Sequence, residues 1–257
     1  MDLQPIIIGA GRGSRLNALT DHQPKCYAPV GERRILDWLL EAMGEAGLAD
    51  PVFIGGYQID MIRQDYPQLA FRHNVDWPNN NILASLFYAE EDMDAGFVCS
   101  YADILYRGSV VKRALEHPGD IVLCVDTDWR TRYQDRSLHP EEDAEKVISE
   151  GDRVLQVHRD IPSDNASGEY IGVAKFSAKG AKMMRAHYHR VRGEFAGQAW
   201  RAGVQFEKAY LIHLFQEMLE HGVDIHRVTT DGEYMEIDTE EDFALANVRW
   251  PAEYGEK

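Results

Sequence analysis

The chain has 257 residues, 44% of them hydrophobic and 27% charged, the make-up of a soluble globular protein long enough for one large domain or two small ones. Its 27 Lys and Arg against 43 Asp and Glu leave a net charge of -16, which argues against a broad nucleic-acid surface but leaves room for a small anion in a locally basic pocket. Cys26, Cys99 and Cys124 have neither metal-like spacing nor an even count and read as reduced thiols of a cytoplasmic protein, while no segment is apolar for long enough to cross a bilayer and the amino terminus lacks a secretory leader.

Leu3 to Ile8 is a short apolar run, the expected first strand of a buried sheet. The glycine-rich stretch GAGRGSRL follows it, and Pro29 to Gly31 reads as a turn. Ile35 to Ala46 carries apolar residues at helical period and ends near Gly47. Pro51 to Ile54 reads as a strand, Ile59 to Tyr66 as a helix, HNVDWPNNN as a polar break and Ile82 to Glu91 as a helix. Phe97 to Ser100 is the next strand, running into Tyr101-Ala102-Asp103. A helix at Val110 to Leu115 and a strand at Ile121 to Val125 lead to Asp126-Thr127-Asp128.

The second half has a different texture. Asp135 to Glu145 is charged and expected to be exposed. Val154 to His158 and Tyr170 to Phe176 read as strands around a polar turn at Pro162 to Gly168. Helices are expected at Ala181 to Arg192 and Phe206 to His221, and strands at Ile225 to Val228 and Glu233 to Ile237. A last helix spans Thr239 to Val248, with Thr239 as N-cap and Asp242 three residues on. The strand–helix rhythm predicts an α/β protein, a mostly parallel sheet covered by helices. Ligands of such sheets gather at the carboxyl ends of the strands, where Gly9, Gly55-Gly56-Tyr57, Asp103 and Asp126 to Asp128 fall. No repeat or linker divides the chain, which is read as one domain over residues 1–257.

The glycine loop admits three readings: a tight turn with solvated arginines, a dinucleotide site, or a cradle for a triphosphate. Position 14 is Ser, Arg15 sits in the loop, and the second strand ends in Gly55-Gly56 rather than in an acid that would hold a ribose. Those departures count against a dinucleotide and an NAD-dependent oxidoreductase. No Gly-Lys-Ser/Thr follows either. Backbone amides with Arg12, Arg15 and Lys25 are better matched to three linked phosphates. Asp103 and Asp238, each at an expected strand end, suit Mg2+, which takes oxygen ligands and often only one or two carboxylates beside substrate phosphates. The ten histidines are scattered, and His187 and His189 do not share a helix face, so no zinc site is read.

In fixed order from residue 9 to residue 243, GAGRGSRL, PKC, NNNILASL, YADILY, VDTDW, AEKV, GEYIGVAKFS and EIDTEEDF resemble the nucleotidyltransferase family acting on sugar phosphates and related alcohol phosphates. The likeness is greatest to its bacterial choline-phosphate and 2-aminoethylphosphonate cytidylyltransferase branch. The resemblance implies a three-layer α/β/α sandwich with a Rossmann-like, mostly parallel mixed sheet, as in nucleotide-diphospho-sugar transferases. Residues 1–130 would form the nucleotide-binding half, and residues 131–257 the half that binds the acceptor and completes the metal site. It implies a Mg2+-dependent transfer of CMP from CTP to a small phosphorylated or phosphonate acceptor, with release of pyrophosphate. Gly9, Ala10, Gly11, Arg12, Gly13, Ser14 and Arg15 would wrap the triphosphate, Lys25 would face the α-phosphate, and Asp103 and Asp238 would hold the metal. Lys25, Arg15 and Asp103 carry the catalytic assignment. Asn80, Asn81 and Ser85 fall where the family contacts base and ribose, and Gly56 and Tyr57 are further candidates for the base pocket.

The acceptor end is read from Asp128, Trp129, Tyr133, Glu169 and Tyr170, since aromatic faces and carboxylates suit an ammonium. Lys146 and Lys175 are candidates for its phosphate. The insertion WRTRYQDR brings Arg130, Arg132 and Arg136, where a quaternary ammonium gains nothing. Those arginines point either to an acceptor with a second anionic group or to pairing with the acidic run 141–145. Two other readings stay open: a sugar 1-phosphate nucleotidyltransferase using UTP or dTTP, and a nucleotide-binding module without turnover. Trp200 either closes over the pocket or packs a subunit contact, and the stripe Phe206, Tyr210, Leu214, Met218 is core or the surface of a homodimer.

Overall fold

A computed structural model describes residues 3–13, 15–16, 20–134 and 136–254. β1 (Gln4–Gly9) sends Ile7 into one hydrophobic core and Ile6 and Ile8 into another, the two-residue alternation of a strand covered on both faces. A small hairpin, β2 (Pro29–Val30) with β3 (Arg33–Arg34), leads into α1 (Ile35–Glu45), which buries the apolar stripe Ile35, Leu36, Leu39, Ala42 and Met43. Then come β4 (Val52–Gly55), α2 (Ile59–Asp65), β5 (Ala70–His73), α3 (Ile82–Leu86), β6 (Gly96–Tyr101), β7 (Ile104–Tyr106), α4 (Gly108–Glu116), β8 (Ile121–Asp126) and α5 (Trp129–Tyr133). The remaining elements are β9 (Lys146–Glu150), β10 (Arg153–Val157), β11 (Gly168–Ser177), α6 (Ala178–Phe195), α7 (Leu211–Glu220), β12 (His226–Thr230), β13 (Tyr234–Glu236) and α8 (Glu240–Tyr254).

Nine strands form one mixed sheet in the order β5-β4-β1-β6-β11-β8-β12-β10-β9. β5, β4, β1 and β6 run parallel, β11 runs antiparallel between β6 and β8, and β12 is parallel to β8. Residues of α1, α4 and α8 fill the core on one face; those of α3, α6 and α7 fill the other. The chain leaves β1 through α1 toward β4 and β5, then returns through α3 to β6 on the opposite side of β1. The carboxyl ends of β1 and β6 therefore flank a topological switch point, where such sheets open a crevice.

Several elements differ from the sequence reading for identifiable reasons. Ile82 to Glu91 is not one α-helix: α3 stops at Leu86 and a 3-10 helix continues from Phe87 to Asp92. Buried Leu83, Leu86 and Ala89 are spaced by three, the period of the tighter helix. Phe206 to His221 is also interrupted, because the carbonyls of Glu207, Lys208 and Ala209 accept from Asn81 and Leu83 instead of from the next helical turn. β5 and β9 were not expected: β5 is an edge strand, where polar and charged residues are tolerated, and β9 pairs with both β10 and β11 through a segment whose alternation is masked by charged Lys146 and Glu150. Within the segment expected to be exposed, Arg136, His139, Ala144 and Glu145 are buried. Trp200 packs against the rings of Phe195, Phe206 and His213. Cys26, Cys99 and Cys124 are free and buried, and among the described residues no helix is long and apolar enough to cross a membrane.

Candidate active site

A cavity of about 550 Å3 opens at the carboxyl ends of β1 and β6. On one side its wall is the loop after β1: Gly9, Ala10, Gly11, Gly13 and Arg15. Gly13 has φ +68°, and a Cβ there would stand 2.6 Å from Lys25 Cδ, so glycine is what lets the loop lie against that lysine. Tyr57 braces the loop from outside by donating its backbone N–H to Ala10 O at 2.9 Å. The Tyr57 hydroxyl donates to Asp21 O at 2.7 Å. Next to the loop, Asn80, Asn81 and Ser85 line the cavity with Trp77. Buried Asn74 organises two of them: its amide donates to Asn80 Oδ1 at 2.9 Å and Ser85 Oγ at 2.7 Å.

Lys25 is the hinge of the site. It opens a short 3-10 turn after Pro24, is buried, and its ammonium donates to Asp103 Oδ2 at 2.7 Å and to Asp238 Oδ1. Arg15 donates to the other oxygen of Asp238. Two carboxylates 135 positions apart meet here because β7 and β13 pair antiparallel, with Ile104 opposite Glu236, and Ile237 N–H donates to Asp103 O at 3.0 Å. The start of α8 then fixes Asp238. Thr239 and Asp242 form a reciprocal capping box, and Asp242 Oδ2 also accepts from Asp238 N–H at 3.0 Å. Burial alone would lower the Lys25 pKa, but Asp103 and Asp238 outweigh it and hold the ammonium above its ordinary value. Burial likewise opposes ionisation of Asp238, yet Lys25 and Arg15 pull its pKa down to about 2. Oxygen donors of this kind suit a hard divalent cation. His139, Glu236 and Asp238 also bring ligand atoms within 4.8 Å of one another on the same wall.

The rest of the cavity is built from tyrosines and carboxylates: Tyr101, Tyr170, Tyr210, Tyr234, Glu145 and Glu169, with Arg159, and Glu236 stands between them and Asp238. Gly172, at φ +81°, interrupts the β11–β8 register and clears space for the Tyr101 ring, which a Cβ would approach to 2.5 Å. Tyr101 OH donates to Glu145 Oε2 at 3.3 Å, and Arg159 donates to Glu145 Oε1 at 3.2 Å. Burial raises the Glu145 pKa against the pull of Arg159. Glu236 is raised well above the usual carboxylate range by burial and by its neighbours Asp238, Glu169 and Asp103.

The residues expected from sequence divide cleanly. Gly9, Ala10, Gly11, Gly13, Arg15, Lys25, Asn80, Asn81, Ser85, Asp103, Glu169, Tyr170 and Asp238 all line this one cavity. Ser14 lies outside the described residues. Arg12 pairs with Asp21 at 2.6 Å away from the lining, and Gly56 sits behind Ala10. Tyr133 and Arg132 stand behind Glu169, donating to its two oxygens at 2.7 and 2.9 Å. Asp128 begins α5, Trp129 packs on Tyr133 and Ala144, and Arg130 pairs with Asp164 at 2.8 Å outside the cavity. Lys146 donates to Arg159 O at 2.6 Å, and Lys175 to the carbonyls of His117 and Gly119. Neither lysine lines the cavity. Glu145, Arg159, Tyr234 and Glu236 were not singled out from sequence, and Tyr210, read there as core or dimer surface, lines the cavity instead. Glu145 and Glu236 sit inside the quoted motifs, so strand parity was the available signal; for Arg159 there was none.

Residues 4–96 match the family model described as Nucleotidyl transferase. The chain is 27% identical to the CTP:phosphoglutamine cytidylyltransferase of Campylobacter jejuni over 246 residues, 92% of this chain and 96% of that protein. It is 28% identical to the choline-phosphate cytidylyltransferase of Streptococcus pneumoniae over 109 residues, 41% of this chain and 47% of the other. Among solved structures, the CTP:phosphocholine cytidylyltransferase of Streptococcus pneumoniae aligns with TM-score 0.71 and 18% identity over 96% of this chain and 99% of that one. The fold is that of the nucleotide-diphospho-sugar transferases.

Proposed function

We propose that this chain, a nucleotidyltransferase of the cytidylyltransferase branch, transfers CMP from CTP to a phosphate or phosphonate oxygen of a small amine-bearing acceptor and releases pyrophosphate. The observation that carries the reading is the Lys25 ammonium, gripped by Asp103 and Asp238 at the foot of the glycine loop. Such a transfer needs no covalent help, because the acceptor oxyanion is itself the nucleophile. It needs two anions aligned and the charge at the α-phosphorus relieved.

In this reading the amides of Gly9 to Gly13 and the Arg15 guanidinium hold the β- and γ-phosphates, and Lys25 turns to the α-phosphate. Asn80, Asn81 and Ser85 orient the nucleoside. The acceptor oxygen attacks the α-phosphorus, a new P–O bond forms, and the bond to the β-phosphate oxygen breaks. Asp103 and Asp238 would hold Mg2+, which when bound supplies positive charge shared between the two substrates. The carboxylates and tyrosine faces across the cavity favour an ammonium on the acceptor. The three free, buried cysteines suit a reducing compartment such as the cytoplasm.

Pyrophosphate release tests the proposal, measured with CTP, UTP and dTTP in turn against amine-bearing phosphates and phosphonates and a sugar 1-phosphate. Mg2+-dependent release with CTP and an amine-bearing acceptor is expected. Turnover confined to UTP or dTTP with the sugar phosphate would replace it with the sugar reading.

A further inference from the structure

We propose that Asn74, a buried residue behind the cavity wall, sets which pyrimidine the enzyme accepts. It fixes Asn80 and Ser85 so that both offer hydrogens, a pattern met by the O2 and N3 acceptors of cytosine and refused by the N3–H of uracil or thymine. The proposal rests on the cytidylyltransferase reading and deepens it, assigning the choice of nucleotide to named groups. Asn74 follows β5, is fully buried, and donates its own N–H to Gly55 O at 2.8 Å, so the end of the sheet sets its place. It stands outside the cavity lining, to which Asn80 and Ser85 belong.

The polarity of this small network runs outward from one main-chain donor. Asp76 N–H donates to Asn74 Oδ1 at 3.1 Å, which fixes the Asn74 amide with its oxygen on that side. The Asn74 NH2 group then donates one hydrogen to Asn80 Oδ1 at 2.9 Å and the other to Ser85 Oγ at 2.7 Å. Asn80 returns an N–H to Asn74 Oδ1 at 3.0 Å, closing a reciprocal amide pair that fixes its orientation too. Among the described residues two hydrogens are left over: the second N–H of Asn80 and the hydroxyl proton of Ser85. The acceptor nearest that proton, Asn80 Oδ1, lies 3.5 Å from Ser85 Oγ, too long to hold it. Asn81, on the same stretch of wall, serves instead as a helix cap: it accepts from Ile82 N–H at 2.8 Å and donates to Lys208 O at 3.2 Å.

The lock matters most at the hydroxyl. A free serine can turn to donate or to accept, and would then serve cytosine N3 and uracil N3–H equally. The hydrogen that Ser85 receives from Asn74 occupies its oxygen and turns its own proton outward. The proposal therefore places the Ser85 hydroxyl at N3, where the two bases differ, and the Asn80 N–H at O2, which they share. Uracil or thymine would bring a hydrogen against the Ser85 proton and leave a buried donor unpaired, the kind of mismatch that a hydrogen-bonding site rejects strongly. Trp77 lines the cavity beside these donors and gives the base an apolar surface.

The test reads nucleotide binding by calorimetry, with no acceptor present, using CTP, UTP and 3-deaza-CTP, which carries C–H in place of cytosine N3, each with Mg2+. The wild type should bind CTP more tightly than either of the others by about tenfold to a hundredfold, the range of one unmet buried hydrogen bond. Asn74→Asp is an isostere that accepts but cannot donate, so it draws the Ser85 proton inward and leaves Oγ as an acceptor. CTP binding should weaken by about tenfold and UTP should hold or improve, bringing the two within about threefold. Ser85→Ala keeps the Asn74–Asn80 pair and should weaken CTP by about tenfold while changing UTP and 3-deaza-CTP less than about threefold. Thermal melts of the free variants show that each is folded, and Ser85→Ala with the 3-deaza nucleotide decides the matter should Asn74→Asp not fold. UTP or 3-deaza-CTP bound by the wild type as tightly as CTP overturns the inference and leaves the cytidylyltransferase reading to its own pyrophosphate assay. So does a Ser85→Ala loss of equal size for all three nucleotides, or a folded Asn74→Asp that keeps the wild-type ratio, since a strut or a ribose contact would act on every base alike. Failure of the wild type to bind CTP with Mg2+ removes both readings.

Discussion

The two sides of the cavity are made differently. In the proposed reading the nucleotide side joins the backbone of the glycine loop after β1 to a few side chains from short motifs, Arg15, Lys25, Asn80, Asn81 and Ser85. The acceptor side is all side chains, drawn from β6, β11, β13 and the segments before β9, after β10 and before α7. A site that binds through a loop and short motifs is written in consecutive residues, whereas a site that binds through scattered side chains depends on strand parity and on which distant segments meet. The first kind tolerates little change near its pivot; the second can be retuned one residue at a time.

The largest expected effect comes from breaking the pivot. Lys25→Met should lower kcat by about a hundredfold to a thousandfold, the scale for removing one positioned charge at a reacting centre. The stability loss should stay below the roughly 3–5 kcal/mol of an ordinary broken buried pair, because Arg15 remains on Asp238 and Asp103 is 30% exposed. Steady-state rates beside a thermal melt check this. Equal collapse of activity and folding would make Lys25 a structural strut.

That asymmetry also explains what could be read in the sequence. The parallel strands, the glycine loop, Lys25, Asp103 and Asp238 were legible because each follows an apolar run or sits in a short motif. The cap at Thr239 and Asp242 was legible because capping is local. The acceptor side was not. In AEKV the lysine drew notice for its charge, but Glu145 faces the cavity while Lys146 ties down Arg159. In the insertion after β8, Trp129 and Arg130 suggested a binding surface, but a short helix turns Trp129 into a satellite core and leaves Arg130 outside. Helix formation there depends on Glu169, which anchors Tyr133 and Arg132 from a strand far along the chain.

The acceptor side should also loosen first in acid. His213, on α7 beside Tyr210, is buried, and burial with the nearby charges of His158, Arg159 and Arg201 pulls its pKa down to about 4. The native state therefore keeps it neutral while the unfolded chain protonates near 6.5, so its contribution is constant above that pH and is lost as pH falls from 6.5 toward 4. The shift corresponds to roughly 3 kcal/mol at full extent. Unfolding free energies measured across this window should fall in the wild type and flatten in His213→Gln, and parallel curves would remove the assignment.

A smaller change should separate the two sides kinetically. In the proposed reading Glu169→Gln removes a charge from the acceptor wall, where Arg132 and Tyr133 hold it from behind, and touches nothing on the nucleotide wall. The acceptor KM should rise by about tenfold, the value of one charge-assisted contact, with the CTP KM unchanged. A matching rise in the CTP KM would mean that the two sides share one electrostatic field and cannot be tuned apart.

The smallest effect decides where the acceptor side ends. Arg130 is 44% exposed, pairs with Asp164 and Glu141, and borders a separate shallow groove with Tyr133 and Gln134. Exposed pairs of this kind contribute little, so Arg130→Ala should leave both KM values and the melting temperature nearly unchanged. Its neighbour two positions on, Arg132, shares the helix yet is buried against Asp126 and Glu169. The two arginines thus differ in connection to the cavity, not in local sequence. A several-fold rise in acceptor KM on loss of Arg130 would mean that the acceptor reaches past Tyr133 into the groove, and the boundary drawn by the cavity lining would have to move outward across α5.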